Sequence, residues 1–138
     1  MKVIGIVGSR SRDSSKDLEQ CKKHFFEVYE EGDQIVSGGC PQGGDRFAEV
    51  IAKQFEIPIK IYYAQWKKLG KSAGFARNTY IARDANVLIA VVKSDRKGGT
   101  EDTIRKVEKM GGKHIIVIMP LPEPIIMDDP SKFDPLAL

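Results

Sequence analysis

Residues 34–45 read QIVSGGCPQGGD, and the fold turns on this stretch. A short apolar run ends at Ser37, two glycine pairs follow, and Asp45 opens a segment in which Phe47, Ile51 and Phe55 recur every four residues before Pro58. Strand, glycine-rich turn and helix in that order predict a unit feeding a parallel sheet, because a crossover helix is needed to bring the next strand alongside. Pro58 stops that helix, and the carboxylate at its start suits the positive end of the dipole.

The same unit repeats outward in both directions. Five runs rich in Ile and Val are bounded by Gly, Pro, Ser or Asp: β1 from Val3 to Val7, β2 from Gln34 to Ser37, β3 from Ile59 to Tyr63, β4 from Asn86 to Val92 and β5 from His114 to Met119. Leu18, Cys21, Phe25 and Val28 mark a first helix ending near Gly32, with Ser14 and Asp17 as its capping box. A further helix is predicted from Phe75 to about Asp84, and Ile104, Val107 and Met110 mark another ending at Gly111 and Gly112. Right-handed crossovers then predict an α/β fold: a doubly wound, Rossmann-like parallel sheet of five core strands in order 3-2-1-4-5, with helices on both faces.

Two stretches break the rhythm. Ala64 to Gly74 reads as a long loop serving as lid or binding loop. The tail carries Pro120, Pro122, Pro124, Pro130 and Pro135, so residues 1–119 are expected to form the domain and residues 120–138 an extended arm, packed on its own domain or on a neighbour.

The totals narrow the classes of function. With 138 residues and 41% hydrophobic content the chain supports one core, and 22 basic against 19 acidic residues leave a formal charge of only +3. Nucleic acid and membrane are therefore disfavoured as partners, and any functional positive field must be local. Cys21 and Cys40 have no metal-ligand spacing and there are two histidines, so no metal and no cofactor is expected. The apolar run at the N-terminus is broken by Gly5 and Gly8 and lacks a cleavage pattern, which predicts a cytoplasmic protein.

Chemistry gathers in three loops: Gly8-Ser9-Arg10 after β1, Gly38-Gly39 through Gly43-Gly44-Asp45 after β2, and Gly98-Gly99-Thr100 after β4. Each follows the carboxyl end of a strand and precedes a helix, where glycine permits close backbone approach and first-turn amides point at an anion. Any one of them is equally explained as ordinary turn chemistry. In the order 3-2-1-4-5, however, β1 and β4 adjoin at the switch point, so their loops face one crevice and a phosphate is the favoured ligand. No loop matches GxxxxGK[ST], and none reproduces GxGxxG with an acidic residue after β2, which disfavours P-loop enzymes and ordinary NAD dehydrogenases.

The combination of GSR, SGGCPQGGD, QWKKLGKSAGFARN and GGT, in this order over roughly residues 3–118, resembles the YspA-like branch of the SLOG superfamily. The resemblance implies a Rossmannoid pocket for nucleotides and nucleotide-derived signals. It also implies kinship with the Lonely Guy phosphoribohydrolases and the DNA-processing protein A fold. Arg77-Asn78, with Ala85-Asn86 at the matching offset, is similar to the Lonely Guy arginine element and places Arg77 where the catalytic arginine stands. The glycine element departs: Thr103 occupies the position three after Thr100, where that family has its glutamate. Glu101 and Asp102 are the neighbouring carboxylates, and both equally fit first-turn acids on the helix dipole.

Arg10 and Lys71 are candidate phosphate partners, with solvated surface as the alternative. Trp66 is a candidate to stack on a base, or a plug that fixes its loop. Ser9 and Thr100 donate to phosphate or cap helices, and Asp45 is a further carboxylate candidate or a cap. The expected partner is thus a nucleotide-derived small molecule, held by a sensor or carrier; related folds often pair through a helix face, which leaves room for a homo-oligomer. The alternatives are a nucleoside-monophosphate phosphoribohydrolase and, without a basic stripe to support it, a DNA-binding protein.

Overall fold

The computed structural model describes residues 1–122. Apart from residues 120–122, the arm expected over 120–138 lies outside the described residues. The strands are β1 (Val3–Gly8), β2 (Gln34–Gly38), β3 (Ile59–Tyr62), β4 (Val87–Val91) and β5 (His114–Ile118). They form one sheet, parallel throughout, in the order β3-β2-β1-β4-β5. The helices are α1 (Ser15–Val28), α2 (Gly44–Phe55), α3 (Trp66–Leu69), α4 (Ala73–Asp84) and α5 (Gly99–Met110).

Strand alternation sorts the core into two layers. Ile4 and Ile6 of β1 and Ile89 and Val91 of β4 face α1 and α2, where they meet Cys21, Phe25, Phe47 and Ile51. Val7 of β1 and Leu88 and Ala90 of β4 face α4 and α5, packed on Ile81, Ile104 and Val107. The interior strand β4, between β1 and β5, is buried along its whole length, which accounts for its unbroken apolar sequence. Each of these large side chains contributes about 1.5–3 kcal/mol through burial.

Local sequence sets the ends. Ser14 accepts the Asp17 amide and Asp17 accepts the Ser14 amide, a complete capping box for α1. α2 ends at Glu56, in the left-handed region at φ 54°, two residues before Pro58. The stretch predicted as a loop over Ala64–Gly74 is instead largely helical: α3 and a 3-10 turn at Gly70–Ser72 lead into α4, which starts at Ala73 rather than Phe75. Segments of three and four residues carry too little periodicity to be read as helix.

Candidate functional site

At the carboxyl edge of the sheet, the β1 and β4 loops and α4 enclose a cleft of about 410 Å³. Gly8, Ser9 and Arg10 line it from β1, Asp45 from α2, Arg77 and Asn78 from α4, and Gly98, Gly99 and Thr100 from the start of α5. Gly39 and Trp66 line a second cleft of about 300 Å³, and Arg10, Cys40 and Arg77 line both.

Four cationic side chains meet in the first cleft: Arg10, Arg77, Lys93 and Lys97. Among the described residues Arg10, Lys93 and Lys97 have no ion-pair partner. Asp45 is the one carboxylate in the lining among the described residues. The N-cap of α5, Gly98 at φ 116°, supplies no side-chain hydrogen bond, so the first-turn amides of a twelve-residue helix open onto the same space.

Arg77 is placed from several sides. Its Nε donates to Asn78 Oδ1 at 2.9 Å, and its Nη1 lies 4.0 Å from Asp45 Oδ2. A Cβ on Gly38 would run into the Arg77 guanidinium and come within 2.6 Å of Asp45, so only glycine lets the arginine lie across the end of β2. Asn78, 6% exposed, turns its amide nitrogen to Gly99 O at 3.3 Å and to Asp102 Oδ2 at 3.1 Å, tying α4 to the start of α5.

Asp45 is 7% exposed and accepts the Cys40 amide at 3.1 Å, closing the β2 loop. Burial pushes its carboxyl above the ordinary range, against the Cys40 amide, Arg77 and Ser37, which pull the other way. The Ser37 hydroxyl stands 2.5 Å from Ile6 O and 3.0 Å from Asp45 Oδ1. A hydroxyl has one proton, and the carbonyl can only accept. That single proton is therefore shared between the Ile6 carbonyl and the Asp45 carboxyl, and the upward shift of Asp45 comes from burial.

Several residues singled out by sequence lie elsewhere. Glu101 is buried in a pair with Arg96, whose Nη2 lies 3.0 Å from it; this braces the β4 loop outside the cleft lining. Asp102 is held by Asn78 and by Lys106 at 2.9 Å. Gly43 gives its amide to Asp13 Oδ1 at 2.8 Å, and a Cβ on Gly44 would strike the β1 backbone at Val7. Both serve the close seating of α2 on β1. Lys71 sits exposed in the 3-10 turn and lines neither cleft.

Other contributors carried no sequence signal of their own. Lys93 is one more lysine after a strand until the fold turns it inward. Arg12, buried, donates to Val92 O and Ile118 O and to Asp17 and Gln20, fastening the β1 loop to the ends of β4 and β5.

No family model, curated protein or solved structure matches this chain. Among the described residues no three His, Cys, Asp or Glu side chains group so as to hold a metal, and no helix is long and apolar enough to cross a membrane.

Proposed function

We propose that the chain binds a nucleotide or nucleotide-derived phosphate ligand in the first cleft, as a sensor or carrier, and that it is a YspA-like member of the SLOG superfamily. The observation that carries this reading is the meeting of four cations and the uncapped α5 terminus in one cleft with a single carboxylate. Phosphate oxygens accept both from backbone amides and from guanidinium forks. Arg77, already oriented by Asn78 and Gly38, binds with little further ordering.

A thermal-shift screen against nucleoside mono- and diphosphates tests the proposal. Ligand at a hundred times its Kd stabilises the fold by about 2.7 kcal/mol. Arg77→Ala is expected to reduce that stabilisation sharply while leaving the unliganded fold intact. No stabilisation by any phosphate compound would remove the reading.

A second reading is favoured by Asp45. A carboxyl that keeps its proton above the ordinary range, in the cleft and beside an arginine, is equipped as a general acid for N-glycosidic cleavage. Water would add across the bond between sugar and base, yielding the free base and the sugar phosphate. Glu101 and Asp102 are engaged by Arg96, Asn78 and Lys106, so this chemistry would fall to Asp45 with Arg77 on the phosphate. Chromatography of the protein incubated with AMP, GMP, CMP and UMP decides: released base supports the enzyme, its absence supports the carrier.

A further inference from the structure

The second cleft adjoins the first, with Arg10, Cys40 and Arg77 lining both, and its character is different. Beyond the shared residues its walls are Gly39, Pro41, Gln42, Tyr63, Ala64 and Trp66. Tyr63 is 65% and Trp66 56% exposed, a large aromatic area to leave facing water. Both rings are nevertheless seated. Tyr63 lies so close over Gly39 that a Cβ there would penetrate the ring, and the Trp66 ring would stand 3.5 Å from a Cβ on Gly74. Each aromatic ring thus packs on a glycine at the end of an element and keeps much of its surface open. Gln42 adds an amide that can both donate and accept at the edge of a base.

The cations are also divided. Arg10 and Arg77 stand at the junction of the clefts, whereas Lys93 and Lys97 line only the first. A terminal phosphate carries about two negative charges at neutral pH and the inner phosphate of a diphosphate about one. Two cation pairs in succession meet that run of about three charges.

The geometry points to one ligand lying across both clefts: a nucleoside 5′-diphosphate with its base stacked against Trp66 and Tyr63 and its two phosphates running from the arginine pair to the lysine pair. This rests on the reading of the first cleft as a phosphate site and adds the polarity of the ligand, its phosphate number and the residues that take the base.

Trp66 is the sole tryptophan, so its emission reports the second cleft alone. Nucleoside diphosphates are expected to quench it on titration into the full chain. Inorganic pyrophosphate is expected to stabilise the protein thermally and leave the emission unchanged. Nucleoside monophosphates should bind at least about tenfold more weakly than the diphosphates, since they forgo one pair of charge-assisted contacts. By calorimetry, Trp66→Ala should weaken diphosphate binding roughly 5- to 150-fold, the range that loss of one stacked base gives. Its pyrophosphate affinity should not change, and Trp66→Phe should recover most of the loss. If pyrophosphate binds but Trp66→Ala leaves diphosphate affinity within twofold, the base site is overturned and the phosphate site stands. Equal affinities for mono- and diphosphates overturn the two-phosphate assignment. If neither pyrophosphate nor any nucleotide binds the unaltered chain, the phosphate reading itself has failed and this inference falls with it.

Discussion

Asp45 occupies the least favourable position in the cleft, a carboxyl almost wholly buried and pushed above its ordinary range by that burial. Because the folded chain holds that proton more tightly than the unfolded chain, the group favours the fold at low pH. That contribution is lost as pH rises from the ordinary value near 3.8 through the raised folded value. Asp45→Asn mimics the protonated form: its carbonyl still accepts the Cys40 amide and its amide donates to Ser37. The variant is expected to melt at or above the wild-type temperature at pH 7, with the difference shrinking as pH falls. A melt at pH 7 well below wild type would show that the ionised carboxylate supports the fold. The same substitution removes the one carboxylate that the described residues bring to the lining, so its gain in pyrophosphate affinity should grow as pH rises and wild-type Asp45 ionises. Gly38→Ala acts in the opposite direction, since its methyl group displaces Arg77 and Asp45 together, and phosphate affinity should drop.

At the scale of elements, the site is held by the seam between α4 and α5, and Asn78 is its fastening. Asn78→Ala leaves Arg77 Nε and Gly99 O without their partner. The expected cost is about 1–3 kcal/mol, with faster amide exchange confined to the first turn of α5. Unchanged exchange there would mean that α5 is positioned by Ile104 and Val107 alone. The strands were legible because Ile and Val runs such as Val87–Val91 advertise a doubly buried position, and α1 and α2 because their capping and stop residues are local. α3 was not, since four residues cannot show a period. Nor were the engagements of Glu101 by Arg96 and of Gly43 by Asp13: the first depends on a loop conformation with Arg96 at φ 54°, the second on a contact between residues thirty positions apart. First-turn acids and glycine pairs look the same in sequence whether they meet a ligand or a neighbouring loop.

The whole molecule is nearly neutral in its totals, and the fold concentrates the positive charge. The order β3-β2-β1-β4-β5 sets the ends of β1 and β4 side by side, and Arg10, Lys93 and Lys97 arrive at one crevice from loops more than eighty residues apart. The convergence of the glycine loops after β1 and β4 was legible from strand order alone; the identity of the lysines was not, because exposed and cleft-facing lysines have the same local sequence. A cleft that draws its field from such side chains should bind anions less tightly as salt rises from 50 to 500 mM, a loss measurable by calorimetry. Affinity independent of salt would locate binding in apolar contacts instead. The most direct test of the phosphate site is Gly99→Val. Gly99 lines the cleft and a Cβ there meets nothing within 4 Å, so the added methyl groups find open space and leave the core undisturbed, unlike the same change at Gly39, which would strike Tyr63. Thermal melts with and without pyrophosphate should show the variant unfolding within a few degrees of wild type and gaining nothing from the ligand. Full ligand-induced stabilisation of Gly99→Val would contradict the placement of phosphate at the start of α5.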